Sequence, residues 1–294
     1  MGTVLIADGG STKIHWARVE RESGEVQELV TSGVNPAVMG AGRIAELFAR
    51  ELAGKFRPGI TRVEFYGAGC KGADACGAVA AALRPIVGDA DIEVESDMLG
   101  ACRALLGNEP GVACILGTGA NSCLYDGVRI VENISPGGYI LGDEGSGAWL
   151  GRRLAGDVIK GLLPKELAEA FHTRFDIDSQ EIIRRVYRPA QEEDAPNRFL
   201  ASLAPFLSEH IEEKPLRGIV KEGLTEFFER NVSAYFNGRP TAAMPVNFVG
   251  SVAVAFGELL RQTALELGYN VGTVVQSPMD ALISRAMEYG DTLS

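Results

Sequence analysis

One local design occurs twice in this chain: an apolar strand, a turn rich in glycine and hydroxyl residues, and a returning strand. The first copy spans residues 5–13 (LIADGGSTK) and the second spans residues 115–121 (ILGTGAN). A further β-rich run follows each copy after a second turn, so both copies are expected to open a three-stranded meander. Internal repetition of this kind indicates two similar domains. We therefore expect two lobes with a cleft between them.

The predicted element order extends this repeat. The first hundred residues predict β-β-β-α-β-α-β-α, and the meander begins again at Val112. We predict an α/β fold with an N-terminal lobe at 1–109 and a C-terminal lobe at 110–294, which carries a mostly helical region at about 144–238. The predicted strands are 3–8, 14–19, 26–31, 62–66, 92–95, 112–116, 121–125, 129–134, 245–249 and 271–276.

Composition narrows the classes of partner. Lys plus Arg number 28 against 39 Asp plus Glu, a net charge of −11, and no basic run interrupts this acidic field. Binding to a phosphate backbone needs a concentrated basic face, so we expect no nucleic-acid partner. The longest apolar runs are far shorter than the roughly 18 residues of a membrane helix. Because the N-terminal segment also lacks a basic region, we expect a cytoplasmic protein with no membrane partner.

The five cysteines and three histidines offer little for metal or nucleophilic chemistry. The cysteines show no C-x-x-C spacing, which favours buried, reduced thiols. The histidines lie far apart in the sequence, so neither a zinc cluster nor a Ser-His-Asp site has the residues it needs. We expect any chemistry to depend on carboxylates.

The two glycine-rich turns are candidates for binding phosphate. Glycines let backbone N–H groups approach an anion, and in the first turn Gly10 is followed by further donors on Ser11, Thr12 and Lys13. The second turn, residues 117–119 (GTG), lies at the equivalent point of the other predicted lobe. A single turn of this kind is more often a plain hairpin. Its recurrence favours phosphate binding at both turns.

A third glycine pattern is a weaker candidate for binding a nucleotide. Residues 67–72 (GAGCKG) fit the dinucleotide-binding pattern G-x-G-x-x-G, follow a predicted strand and precede the acidic Glu95 and Asp97. However, this strand is the fourth in the chain and a meander precedes it, whereas a dinucleotide fold alternates strands with helices. We therefore favour a turn without a dinucleotide.

Carboxylates lie at two predicted strand ends. Asp97 comes where strand 92–95 ends and a helix begins, a position where ligands gather in α/β sheets. It would serve either as a helix N-cap, a role that Ser96 could also fill, or as the acceptor of a hydroxyl proton during attack on a phosphoryl group. Asp8 ends the first strand beside the first turn, where a carboxylate commonly holds Mg²⁺. Strand-end polarity is the alternative for Asp8.

Two further glycine-containing segments are ambiguous. Glycines are densest in residues 137–147, around Asp143 and Glu144, and such density usually marks backbone that approaches a ligand or another backbone segment. Either carboxylate would cap the next helix or contact hydroxyl groups of a ligand. Near the C-terminus, Gly250 and Ser251 follow a predicted strand, where they would either pack against a nucleotide or form an ordinary β-α turn.

Together and in this order, these motifs resemble the acetate kinase, sugar kinase, Hsp70 and actin superfamily, whose two ribonuclease H-like lobes clamp ATP. Residues 115–127 (ILGTGANSCLYDG) and 138–146 (GYILGDEGS) resemble more closely the N-acetylglucosamine kinase branch, grouped with the BadF/BadG/BcrA/BcrD ATPases. The resemblance covers almost the whole chain. It implies two actin-like ATPase lobes with an inter-lobe cleft, and it suggests a homodimer.

The resemblance also implies roles for single residues. It implies that Asp97 is the catalytic base and that Asp8 lies near the metal. The nucleotide-binding residues that it implies are Gly10, Ser11, Thr12, Lys13, Thr118, Gly119, Gly250 and Ser251. The implied sugar-binding residues are Asn35, Asn121 and Asp143. The chain departs from the family pattern at Ala120, where a hydroxyl residue is frequent, and at Ser251, where a second glycine is usual.

The activity that the resemblance implies is ATP- and Mg²⁺-dependent phosphorylation of the primary hydroxyl of an amino sugar. N-acetylglucosamine, giving its 6-phosphate, is the first expectation, and glucosamine, N-acetylmuramic acid and muramic acid stay open. An ATPase activator of the 2-hydroxyacyl-CoA dehydratase type needs cysteines that bridge an iron–sulfur cluster, and no such pair is evident. A sugar sensor without catalysis is disfavoured by Asp97 beside two phosphate turns. ROK-group kinases carry a cysteine-rich zinc motif that this sequence lacks.

Overall fold

The computed structural model of the protein describes residues 2–10, 12–189, 195–239 and 243–288. Its internal contacts divide the chain into two compact units. The first comprises residues 1–109, 127–129 and 277–294, and the second comprises residues 110–126 and 130–276. Each unit contains a five-stranded sheet. Among the described residues, no helix combines the length and the hydropathy that a membrane span requires.

The sheet of the first unit begins with the predicted meander. Its strands are β1 Thr3–Gly9, β2 Lys13–Glu20, β3 Glu25–Ser32, β4 Ile60–Gly67 and β5 Asp91–Ser96. They lie in the order β3-β2-β1-β4-β5, with β1, β2 and β3 antiparallel and with β4 and β5 parallel to β1. The helices between them are α1 Ala41–Leu52, α2 Ala73–Val87 and α3 Asp97–Leu106.

An aromatic cluster joins this sheet to α1. The ring of Trp16 on β2 lies 5.6 Å from that of Phe48 on α1 and 5.7 Å from that of Phe65 on β4, between centroids. All three side chains are fully buried. The helix presents its apolar residues to this cluster because they recur at helical spacing, as the sequence predicts.

The second unit repeats the sheet of the first. Its strands are β6 Gly111–Leu116, β7 Ala120–Tyr125, β8 Ile130–Glu132, β9 Val246–Val249 and β10 Val271–Val275. They lie in the order β10-β9-β6-β7-β8, which in reverse is again a three-stranded meander followed by two parallel strands. The predicted fold class, an α/β chain with two ribonuclease H-like sheets, is confirmed.

Between β8 and β9 the described residues of the second unit are mostly helical. The α-helices are α4 Gly138–Leu141, α5 Gly147–Ile159, α6 Lys165–Phe175, α7 Ser179–Tyr187, α8 Pro196–Leu203, α9 Pro205–Glu209 and α10 Lys214–Phe227. A π-helical turn, Phe228–Val232, and a 3₁₀ turn, Ser233–Phe236, continue from α10. The 3₁₀ turn carries Tyr235, whose side chain is buried.

The C-terminal helix corrects the predicted domain division. This helix, Met279–Glu288, packs against β1, β2 and α3 of the first unit. Its buried residues Met279 and Leu282 share an apolar cluster with Val4 and Ile6 of β1. The prediction of a C-terminal lobe at 110–294 is therefore wrong at its end. The periodic pattern locates a helix, but the apolar surface that covers the helix decides which unit it joins.

The segment after β9 contains a break in its helical structure. It forms two helices, α11 Ser251–Ala255 and α12 Gly257–Glu266, and the helix Met279–Glu288 is accordingly α13. The break falls at Phe256, whose backbone angles of −112° and 22° are not helical. Phe256 is buried in the core of the second unit, and the glycine that follows weakens the helix at the same point.

Candidate active site

Three parallel strands of the first unit end at the same edge of the sheet. Gly9 of β1, Gly67 of β4 and Ser96 of β5 are register partners. Asp8 precedes the end of β1, and Asp97 begins α3 directly after β5. The two predicted carboxylates therefore lie together at the carboxyl edge of the sheet, where α/β proteins commonly bind ligands.

Asp97 is not the N-cap of α3. Ser96 fills that position, and its hydroxyl accepts the N–H of Leu99 at 3.2 Å. One carboxylate oxygen of Asp97 accepts the N–H of Met98 at 2.8 Å. Burial raises the pKa of Asp97 above its ordinary value, and the hydrogen bond from Met98 and the charge of Lys71 lower it in part. A carboxylate with a raised pKa is a stronger proton acceptor once ionised, which suits a general base.

Asp8 occupies an unfavourable environment for a charged group. Burial, together with the nearby charge of Asp97, raises the pKa of Asp8 to about 6, although Lys13 opposes the shift. Within the described residues, no hydrogen bond stabilises its carboxylate. No group of three or more His, Cys, Asp or Glu side chains in the described ranges could hold a metal by itself. A cation here would draw its other ligands from bound phosphate and water, as Mg²⁺ usually does.

The first glycine turn connects β1 to β2. The N–H of Gly10 donates to the carbonyl of Lys13 at 2.9 Å, and the carbonyl of Thr12 accepts the N–H of Gly33 at 3.0 Å. The side chains of Thr12 and Lys13 are exposed. Ser11, which is also predicted to bind the nucleotide, lies outside the described residues.

Asn35 lies beside the loop that follows β4. Its Oδ1 accepts the N–H of Ala37 at 3.1 Å, and Gly69 packs so closely on the amide that a Cβ at this glycine would overlap Oδ1. The loop itself returns to β1, because the N–H of Ala68 donates to the carbonyl of Gly9 at 2.7 Å. Packing against Asn35 and a φ of +78° account for Gly69. A dinucleotide is not needed to explain the glycine pattern.

The second glycine turn connects β6 to β7 and rests on the start of α5. The carbonyls of Gly117 and Thr118 accept the N–H groups of Gly147 and Ala148 at 2.8 and 3.0 Å. By contrast, the N–H groups of Thr118 and Gly119 have no acceptor among the described residues. Two adjacent unpaired N–H groups in a glycine turn form a typical cradle for an anion.

Asp143 packs against this turn. One of its oxygens accepts the N–H of Ala120 at 3.4 Å, and the other would lie 3.2 Å from a Cβ at Gly119. The side chain is only 8% exposed. Burial is the main cause that raises the pKa of Asp143 to about 6, and the charge of Glu144 adds to it. The backbone φ of +54° is unusual for a residue with a side chain, and such angles are concentrated at functional sites.

Replacing Asp143 with Asn should stabilise the ligand-free protein at alkaline pH. The folded pKa of about 6 exceeds the ordinary 3.8, so stability from this group is full below about pH 4 and is lost as the pH rises through about 6. Asn removes the charge and keeps a carbonyl oxygen for the N–H of Ala120. We expect the free energy of unfolding to rise by about 1–3 kcal/mol at pH 8 and to change little at pH 4, measured by urea denaturation.

Asp176→Asn is the matched control, because Asp176 also has a positive φ of 50° but is exposed. Its effect on the free energy of unfolding should be the same at both pH values. An Asp143→Asn effect that did not depend on pH would contradict a raised pKa at Asp143.

Gly250 connects β9 to α11 beside the second glycine turn. Its φ is +129°, and a Cβ there would lie 2.6 Å from the carbonyl carbon of Leu116 and 3.2 Å from the nitrogen of Gly117. Only glycine combines this backbone angle with this approach. Ser251, which follows Gly250 and begins α11, is exposed.

Asn121, on β7, is half-buried. Its Oδ1 accepts the N–H of Ser122 and the side-chain amide of Asn133, both at 2.9 Å. The Asn121 nitrogen has no acceptor in the part of the chain that the structure describes. Asn121 therefore keeps a donor for a ligand while its oxygen is engaged within the protein.

Within each unit the structure brings some of the predicted site residues together. In the first unit, Asp8, Asp97 and the Gly10 turn lie at one sheet edge. In the second, the residues grouped around the glycine turn are Thr118, Gly119, Asp143 and Gly250.

Sequence reasoning missed two residues near these groups. Lys71 acts through its charge on Asp97. It lies inside the glycine pattern at 67–72, at a position that this pattern does not specify. Asn133, whose amide holds Asn121, has no sequence signal, since it lies beyond the motif. Both are recognised only through their spatial neighbours.

Of three comparisons with known proteins, the search of solved structures gives matches. A scan of family models finds no match, and a search of curated proteins likewise finds none. Among solved structures, a candidate N-acetylglucosamine kinase from Porphyromonas gingivalis is 41% identical to this chain, with 97% of this chain and 98% of that chain covered and a TM-score of 0.89.

Two more distant structures share the fold. A candidate N-acetylglucosamine kinase from Chromobacterium violaceum is 16% identical, with 97% of this chain and 98% of that chain covered and a TM-score of 0.68. A ROK family glucokinase from Streptomyces griseus, solved with glucose and AMPPNP, is 16% identical over the same shares of the two chains, with a TM-score of 0.50. At this identity they show the fold alone.

The two repeated sheets and the paired glycine turns define a protein of the actin-like ATPase fold. At 41% identity over 97% of its length, the chain belongs to the N-acetylglucosamine kinase branch of the BadF/BadG/BcrA/BcrD ATPases.

Proposed function

We propose that this protein is an ATP- and Mg²⁺-dependent kinase that phosphorylates the primary hydroxyl of an amino sugar. N-acetylglucosamine is the proposed substrate and its 6-phosphate the proposed product. The family of the chain supports the reaction class. The position of Asp97 carries the proposal. Ser96 caps α3, so the Asp97 carboxylate is not needed as the cap, and it lies beside Asp8 at the carboxyl edge of the sheet.

In the proposed reaction, Asp97 accepts the proton of the primary hydroxyl as the sugar oxygen bonds to the γ-phosphorus of ATP. The bond between that phosphorus and the bridging oxygen breaks, and ADP leaves with the electron pair. The hydrogen bond from Met98 holds one oxygen of Asp97, which orients the other for the proton. The protein's other contributions to phosphoryl transfer are mainly positioning of the reactants and stabilisation of charge.

Each unit offers groups that suit one part of a magnesium–nucleotide complex. The unpaired N–H groups of Thr118 and Gly119 suit phosphate oxygens, and the buried carboxylate of Asp8 suits a cation that offsets its repulsion with Asp97. In the proposed site, Ser11, Thr12 and Lys13 bind phosphate beside Gly10, whose own N–H closes the turn by donating to the carbonyl of Lys13, and Gly250 and Ser251 lie by the adenosine. Bound Mg²⁺–ATP supplies the phosphoryl group and neutralises charge that develops on its oxygens.

We assign Asn35, Asn121 and Asp143 to the sugar. All three are half-buried or buried polar side chains beside glycine turns. Asp143 retains acceptor capacity beyond its one 3.4 Å hydrogen bond to Ala120, which suits a sugar hydroxyl. Asn121 offers a donor, as described above.

The experiment is ADP release by the purified protein with Mg²⁺-ATP and a panel of sugars. The panel contains N-acetylglucosamine, glucosamine, N-acetylmuramic acid, muramic acid, glucose and no sugar. We expect turnover to depend on an amino sugar and to be fastest with N-acetylglucosamine. ADP release that is independent of sugar would contradict the proposal and favour an activator ATPase, and binding without turnover would favour a sensor.

A further inference from the structure

We propose that Asn133 orients the side-chain amide of Asn121 so that Asn121 presents a hydrogen-bond donor to an acceptor oxygen of the sugar. This inference rests on the proposed function, in which Asn121 contacts the sugar. It adds a positioning residue outside the glycine motif, and it specifies the polarity of one substrate contact.

The orientation of the Asn121 amide follows from an obligatory donor. The backbone N–H of Ser122 lies 2.9 Å from one amide atom of Asn121. A backbone N–H only donates, so the facing atom must be the oxygen, Oδ1. The nitrogen of Asn121 is therefore the atom that stays available to a ligand.

The orientation of Asn133 follows from obligatory acceptors. Its terminal amide atom lies 2.6 Å from the carbonyl oxygen of Ser122 and 3.3 Å from that of Ile134. Carbonyl oxygens only accept, so this atom must be the nitrogen, Nδ2. The same nitrogen donates to Oδ1 of Asn121 at 2.9 Å. Asn133 therefore reinforces the only orientation of Asn121 that Ser122 permits.

Tyr235 anchors the segment that carries Asn133. Its hydroxyl donates to the carbonyl of Ser122 at 2.8 Å and accepts the N–H of Ile134 at 3.0 Å. Burial raises the pKa of Tyr235 to about 12, so the hydroxyl stays protonated at neutral pH. Because Ser122 and Ile134 share this hydroxyl, the backbone after β8 is tied to β7 beside Asn121. The amide network is therefore held both by β7 and by the segment after β8.

The fixed amide defines what Asn121 can recognise. With Oδ1 engaged twice, the side chain offers N–H groups and no further strong acceptor position. It suits a hydroxyl or acetamido oxygen, which accepts hydrogen bonds. It does not suit a protonated amino group, which only donates.

Asn121→Asp tests this polarity directly. The carboxylate retains both observed hydrogen bonds, because Ser122 and Asn133 both donate to that side chain, but it replaces the N–H groups with a second acceptor. We expect the KM and the Kd for N-acetylglucosamine to rise about 10- to 100-fold, while the KM for ATP stays unchanged. The exposed Asn270→Asp is the matched control and should leave both values unchanged.

Asn133→Asp tests the positioning role. It sets a carboxylate against Oδ1 of Asn121 and the carbonyl of Ser122, so it should disturb the amide without touching the sugar. Asn133 is exposed, so we expect the variant to fold. We expect the sugar KM to rise about 3- to 10-fold, with a smaller effect on kcat. A merely structural defect would lower kcat and the melting temperature together.

Initial rates and calorimetric titration with N-acetylglucosamine distinguish the outcomes. If wild-type protein is active and Asn121→Asp binds the sugar as well as wild type, the inference is overturned and the proposed function stands. If Asn133→Asp alone behaves as wild type, the positioning role is overturned. If wild-type protein neither binds nor phosphorylates an amino sugar, the proposed function fails and the inference fails with it.

Discussion

Asp97→Asn is expected to lower kcat by about 10²- to 10⁴-fold while sugar binding stays largely intact, since this is the usual contribution of a general base. The substitution preserves shape, and an amide oxygen can still accept the N–H of Met98. Because Ser96 caps α3, the variant keeps the N-cap of this helix. The measurement is steady-state ADP release with calorimetric titration of the sugar.

Asp89→Asn is the matched control, because Asp89 is an exposed aspartate of the same unit. It should leave kcat and sugar affinity unchanged. An Asp97→Asn variant with near-normal turnover would remove Asp97 from the role of base. Loss of sugar binding and turnover together would instead show that Asp97 acts mainly in binding.

Gly250→Ala is expected to destabilise the protein by about 2–5 kcal/mol, the sum of the cost of its backbone angles and of overpacking. Its φ of +129° is accessible to glycine almost alone, and the added Cβ would press on the carbonyl carbon of Leu116 at 2.6 Å. The added methyl group would displace the end of β6, which leads into the 117–119 turn. We therefore also expect weaker ATP binding in the folded fraction, measured by titration beside urea denaturation.

Gly156→Ala is the matched control for this substitution. Gly156 lies inside α5, and an added Cβ would meet no atom within 4 Å. Alanine favours a helix over glycine, so this variant should gain about 0.5–1 kcal/mol. A Gly250→Ala protein that is as stable as wild type would contradict the close approach of Gly250 to β6.

The repeated meander could be predicted from the sequence because its signal is local. Apolar strands and glycine turns are set by neighbouring residues, so the strand pattern of residues 3–31 and its recurrence after Val112 were both correct. The unit to which α13 belongs depends on the apolar cluster that Met279 shares with Val4, a residue far away in the chain. No local pattern carries that information.

The candidate site also combines features that local sequence patterns predict with features that depend on tertiary contacts. Sequence alone leaves Asp97 as either a cap or a base, and only the hydroxyl of Ser96 facing the N–H of Leu99 decides against the cap. Gly69, inside the glycine pattern at 67–72, is explained by its packing against Asn35, a tertiary contact. Asn133 contributes through its geometry with Asn121. These choices depend on side-chain positions that become defined only in the folded chain.

Phosphoryl transfer to the primary hydroxyl of an amino sugar is tested most directly by phosphorus NMR and mass spectrometry of the product formed from Mg²⁺-ATP and N-acetylglucosamine, with the 6-deoxy sugar as the control. We expect one new phosphomonoester, on the oxygen at carbon 6, and none from the 6-deoxy sugar. A phosphate on another oxygen, or ADP formed without any sugar phosphate, would contradict this expectation.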